Sequence, residues 1–192
     1  MPAASASTSQ PGTWAGTRGA SQLRRGVAHA SRPAVAAAAG GLMSVLALQS
    51  RSGVGELLSS TFVDPSGEKR GLADWRGQAL VCNFWATWCA PCREEMPLFE
   101  AAHRKYAGKG VQVVGIAIDN AANIREFTSS VRVTYPILVG GVETIELMRR
   151  LGNKAGALPF TVLLDARGRL AGHKLGPYAP EELEAALARL MQ

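Results

Sequence analysis

Two cysteines separated by two residues, Cys89-Ala90-Pro91-Cys92, follow an apolar run and precede a stretch of helix-forming residues. Such a pair can pass electrons to a disulfide in another molecule: one thiolate attacks a sulfur, and the second thiol then displaces the adduct. The upstream residues Ala79-Leu80-Val81-Cys82-Asn83-Phe84 are apolar and partly β-branched or aromatic, which predicts a strand. The downstream Arg93-Glu94-Glu95-Met96-Pro97-Leu98-Phe99-Glu100 predicts a helix. Cys89 is thereby expected at a helix N-terminus, where free amides and the positive dipole end stabilise a thiolate and lower its pKa from about 8.5. Cys89 is the expected nucleophile. Cys92, one turn on and turned from solvent, is the expected resolving thiol. Pro91 fits the first helical turn, where its missing N–H has no partner to lose.

Other chemistries compete for the same two residues. A zinc site asks for a second cysteine pair or closely spaced histidines, and Cys82, His29, His103 and His173 are scattered along the chain. A structural disulfide across so short a loop would add little stability. Two thiolates could hold Cu(I), but no Met or His cluster accompanies them. A peroxidase acting through a single cysteine would have no use for Cys92. Strand alternation places Cys82 with Leu80 and Phe84, opposite Asn83, as a small buried apolar residue.

The helices and strands that must position the pair belong to the later part of the chain. Residues 1–55 contain no Asp or Glu, hold Arg18, Arg24, Arg25, Arg32 and Arg51, and are rich in Ala, Ser and Gly, so no core is expected there. From Glu56 onward, 16 basic residues face all 15 acidic ones. Five of the six net positive charges therefore belong to the front of the chain, and no clustered cations suggest a nucleic-acid surface. Residues 1–52 have the layout of an export leader, with a basic n-region before the apolar stretch 33–48. As a helix that stretch would span about 24 Å, short of a hydrocarbon core of about 30 Å. This favours a cleaved signal peptide, with small residues at Val45-Leu46-Ala47, over a membrane anchor. A mitochondrial transit peptide fits the acid-free composition but less well the uninterrupted Ala-rich block, and Arg24-Arg25 is a weak twin-arginine signal.

Residues 53–192 suffice for one buried core and show no internal repeat. Strands are expected at 61–63 and 69–72 as a front hairpin around Asp64-Pro65-Ser66-Gly67, and then at 79–85, 111–118 and 135–139. A closing hairpin is expected at 160–164 and 169–174 through Asp165-Ala166-Arg167-Gly168. Helices are expected at 92–107, kinked by Pro97, and at 120–131, 143–151 and 180–191. The class is α/β, a mixed central sheet flanked by helices.

The run Asn83-Phe84-Trp85-Ala86-Thr87-Trp88-Cys89-Ala90-Pro91-Cys92-Arg93-Glu94-Glu95-Met96-Pro97 resembles the active-site signature of the TlpA/ResA-like branch of thioredoxin-fold proteins, and the element order extends the resemblance over nearly all of residues 56–192. The resemblance implies a thioredoxin fold with an N-terminal β-hairpin and a central insertion, here residues 120–151. It implies a thiol:disulfide oxidoreductase that needs neither cofactor nor metal. It also implies a cis-proline facing the cysteines, which maps onto Pro159 in Gly156-Ala157-Leu158-Pro159, although the bulky Phe160 that follows departs from many relatives. Asn83 stands where ordinary thioredoxins keep a proton-shuttling Asp. The ResA-like glutamate three residues after the second cysteine maps onto Glu95, implying that Glu95 assists deprotonation of Cys92; the alternative is a solvated first-turn Glu. Trp88, Ala90, Pro91 and Leu158 are the expected substrate contacts, with plain packing the alternative for Trp88. Expected partners are disulfide-containing proteins, the haem-binding cysteines of apocytochrome c being the narrower candidate, and a membrane electron donor of the DsbD or CcdA type. The expected location is periplasmic or otherwise extracytoplasmic, with membrane contact only through the leader.

Overall fold

Every residue of Ala79–Trp85 is buried, and this strand lies inside a seven-stranded sheet in the computed structural model, which describes residues 53–192. The expected leader lies outside the described residues. In chain order the elements are a helix over residues 53–59 (α1), β1 (Thr61–Val63), β2 (Lys69–Gly71), a 3-10 turn Leu72–Trp75, β3 (Ala79–Trp85), α2 (Ala90–Tyr106), β4 (Val111–Ile118), α3 (Ala121–Ser130), β5 (Ile137–Gly140), α4 (Glu143–Arg150), β6 (Phe160–Leu164), β7 (Leu170–Leu175) and α5 (Pro180–Leu190). The sheet order is β2-β1-β5-β4-β3-β6-β7. β3, β4 and β5 run parallel, whereas β6 pairs antiparallel with β3 and β7, and the front hairpin joins antiparallel through Val63 opposite Val139. The residues after β3, β4 and β5, the start of β6 and the end of β7 thus share one edge of the sheet.

Alternation along β3 divides the apolar interior into two layers. Ala79, Val81 and Trp85 face α2 and α5, where they meet Met96, Phe99, Leu183 and Leu187. Leu80, Cys82 and Phe84 face the other way, toward Leu57, Leu72, Met148 and Phe160. Burying each of these larger side chains contributes about 1.5–3 kcal/mol, so α2 is held against the sheet mainly by its Met96, Phe99 and Tyr106 stripe. Tyr106 Oη and Lys105 Nζ both donate to Glu184, at 2.7 and 2.6 Å, and tie α2 to α5.

Three expectations need correction. No core was expected within residues 1–55, yet Val54 is buried, in a helix that also buries Leu57. Val54, Leu57 and Leu58 recur at helical spacing, Gly53 lets the chain approach so closely that a Cβ would stand 2.7 Å from the Arg150 carbonyl, and Glu56 pairs with Arg150. The strand expected at 135–139 begins only at Ile137. Thr134 is bound through its N–H and hydroxyl to Glu100 of α2, at 2.7 Å each, and Pro136 has no N–H to give the ladder. The helix expected from 92 starts two residues earlier, at Ala90, with Pro91 in its first turn.

Candidate active site

Cys89 is the N-cap of α2, and its carbonyl already accepts the first helical bond from Arg93 N–H at 3.2 Å. Cys89 and Cys92 are joined by a disulfide, with Cα atoms 5.3 Å apart. Cys92 is fully buried and Cys89 retains 6% exposure. That is less than a helix start suggests, because the disulfide lies within the apolar layer beneath α2. Ala90 and Pro91 are exposed. Trp88, at 69% exposure, stands in solvent beside the disulfide, so plain packing does not explain it. The Thr87 hydroxyl donates to Asp119, fastening the loop before Cys89 to the end of β4.

Phe84 of β3 pairs with Phe160 of β6, which brings the segment before β6 to the same edge. The Leu158–Pro159 bond is cis, Pro159 is buried and Leu158 is half-buried. Asn153, itself only 2% exposed, holds this loop at both ends of one residue: its Nδ2 donates to the Ala157 carbonyl at 2.7 Å, and its Oδ1 accepts from Ala157 N–H at 3.3 Å. Gly156 takes a φ of +64°, conformationally open to glycine, as the chain turns. The Pro159 carbonyl accepts from Gly176 N–H at 2.9 Å. Phe160 points away from this loop into the opposite layer, its ring 5.8 Å from that of Phe84, so it does not shape the face around the cysteines.

Glu95 is 4% exposed, which rules out a solvated first-turn glutamate. It lies one turn beyond Cys92 on the same side of α2. Asn83 Nδ2 donates to Glu95 Oε1 at 2.9 Å and to Thr161 Oγ1 at 3.1 Å, and Tyr178 N–H donates to Glu95 Oε2 at 3.2 Å. Burial pushes the carboxyl up to about 7, overcoming the opposing pull of the Asn83 and Tyr178 hydrogen bonds and of the Lys174 charge. Cys82 is fully buried and its thiol is pushed up to about 12 by desolvation, in keeping with a packing residue. Among the described residues no three His, Cys, Asp or Glu side chains form a group able to hold a metal ion.

The AhpC/TSA family model matches residues 56–173. The chain belongs to the AhpC/TSA family. Among its curated relatives, the thioredoxin-like protein YneN of Bacillus subtilis is 34% identical over 128 residues, 64% of this chain and 71% of that protein. The thiol-disulfide oxidoreductase ResA of Bacillus thuringiensis is 30% identical over 129 residues, 66% and 72% of the two chains. Among solved structures, a thiol:disulfide interchange protein of the thioredoxin family from Chlorobium tepidum superposes with a TM-score of 0.63 at 26% identity, covering 69% of this chain and 93% of that one.

This AhpC/TSA-family chain has the thioredoxin fold and is a thiol-disulfide oxidoreductase. Its fold places the Cys89–Cys92 disulfide at the start of α2, Glu95 one turn further along the same helix, and the cis Leu158–Pro159 loop before β6, whose start lies beside the end of β3. Sequence reasoning missed Asn153, the connector from Gly176 to Tyr178, and the part Asn83 plays as a donor to Glu95. Only the Asn83 link carried a signal, a polar side chain on the α2-facing side of an otherwise apolar strand.

Proposed function

We propose that the protein is an exported reductant of protein disulfides in which Cys89 attacks, Cys92 resolves and Glu95 takes the Cys92 proton. The observation that carries this reading is a buried carboxyl, pushed up to about 7, one helical turn from the buried sulfur of Cys92, which, once the disulfide is reduced, must ionise before it can act. In the reduced protein the Cys89 thiolate attacks one sulfur of a client disulfide. A new S–S bond forms, the client bond breaks, and its other sulfur leaves as thiolate to take a proton from water. Cys92 passes its proton to Glu95 and attacks Cys89 Sγ, which releases the second client sulfur as a thiolate that takes its proton from water. Two electrons have moved to the client, and the Cys89–Cys92 disulfide remains, the state seen in this structure.

In this reading the exposed Trp88, Ala90 and Pro91 beside the cysteines, together with half-buried Leu158, contact the client, and the Pro159 loop offers an edge for an extended client segment. The basic-then-apolar layout of residues 1–52 supports export. In an oxidising compartment a reductant needs recharging, for which a membrane electron donor of the DsbD or CcdA type is the fitting source. A reductant of this kind has a reduction potential clearly below about −200 mV.

The test is capture of the intermediate. Cys92→Ala, reduced and mixed with a peptide containing one disulfide, is expected to give a stable adduct through Cys89 that dithiothreitol releases. Absence of an adduct from Cys92→Ala, or an equal yield from Cys89→Ala, contradicts the reading.

A further inference from the structure

Asn83 pairs across the sheet with Thr161, and Thr161 with Lys174 of the edge strand β7, so the three side chains form a row on the face that α2 covers. Two of them are buried and hydrogen-bonded to each other beneath Glu95. The third is the row's solvent end, with 28% of its side chain exposed. The Lys174 ammonium is held in place: it donates to Glu182 Oε2 at 2.5 Å and sits 5.1 Å from the centre of the Tyr178 ring. Glu182 in turn accepts from Ala179 N–H at 3.0 Å. Lys174 thus anchors the connector whose two other bonds reach the site, Gly176 N–H to the Pro159 carbonyl and Tyr178 N–H to Glu95.

We propose that Lys174 is a positioning residue for Glu95, supplying the positive charge at the end of the Asn83–Thr161 row and fixing the connector that binds both the Glu95 carboxylate and the proline loop. The Glu95 carboxylate is faced by Asn83 from β3, by Tyr178 from the connector, by Lys174 from β7 and by Tyr135 from the segment before β5, with Cys92 one turn earlier on its own helix. Of these only Lys174 is a cation. Its charge favours the ionised form of Glu95. The consequence for catalysis rests on the reading of Glu95 as the base for Cys92.

The experiment follows the Glu95 side-chain carboxyl by 13C NMR across a pH series in the full chain, assigned with Glu95→Gln, alongside the pH profile of mixed-disulfide resolution. Lys174→Met is expected to raise the carboxyl midpoint by about half a pH unit or more, with the resolution profile moving equally, while Lys174→Arg leaves both near wild type. An unchanged carboxyl midpoint in a folded Lys174→Met protein overturns the inference. If Lys174→Met moves the midpoint while Glu95→Gln leaves the resolution profile untouched, the positioning stands and the base reading falls. If Glu95→Gln alters the profile and Lys174→Met moves neither, the base reading stands and the positioning falls.

Discussion

The side-chain amide of Asn83 donates to the carboxyl of Glu95 at 2.9 Å, joining the middle of the sheet to the helix that carries both cysteines. A neutral amide can donate to the carboxylate and equally to the carbonyl oxygen of the protonated acid. A second buried carboxylate at position 83 would repel Glu95 when both were ionised. An amide therefore suits a site whose titrating carboxyl sits on the helix instead of the strand.

Glu95 makes the oxidised protein less stable as pH rises. Its carboxyl titrates near 7 in the folded chain against about 4.5 when unfolded, so between those values the folded state holds a proton that the unfolded state has released. The stability this group contributes is complete below about pH 4.5 and is lost as pH climbs through 7. Glu95→Gln abolishes the dependence, and urea unfolding should find the variant gaining on wild type by on the order of 2 kcal/mol between pH 5 and pH 8. A difference that is the same at both pH values contradicts this.

Asn153 acts on the loop and not on the sulfurs. Asn153→Ala removes both hydrogen bonds to Ala157 and should cost about 1–3 kcal/mol in urea unfolding. Reduction of a peptide disulfide should slow while the alkylation rate of Cys89 stays at the wild-type value; a parallel fall in that rate would place the effect on the thiol itself.

Trp88→Ala should leave stability within about 0.5 kcal/mol of wild type, because 69% of the residue is already exposed. The loss belongs in client binding, read as a KM several-fold higher for a peptide disulfide with kcat less affected. An unchanged KM would remove Trp88 from the contact surface.

The buried strands were legible from sequence because each is a short, nearly unbroken apolar run: β3, β4 and β6 begin and end where Ala79, Trp85, Val111, Ile118, Phe160 and Leu164 predict. The cysteine pair was legible because its chemistry needs two sulfurs at one spacing. Elements that depend on distant partners were not. Residues 53–59 become a helix because Gly53 and Glu56 meet Arg150, almost a hundred positions away. Phe160 follows the proline directly in sequence, but strand alternation turns its ring into the layer shared with Phe84. Asn153 looks like any loop asparagine until the fold sets it against Ala157. The burial of Glu95 depends on β3, β6 and the β7–α5 connector closing around it at once, which no local pattern encodes.

Alkylation of the reduced protein by iodoacetamide across a pH series tests the assignment of the two thiols most directly. Cys89 should react with a midpoint below the ordinary thiol value of about 8.5, and Cys92, fully buried, far more slowly, while Cys82, pushed up to about 12, stays unlabelled in the folded chain. Equal labelling of Cys89 and Cys92, at the rate and midpoint of an unstructured peptide thiol, would contradict the division into attacking and resolving cysteines.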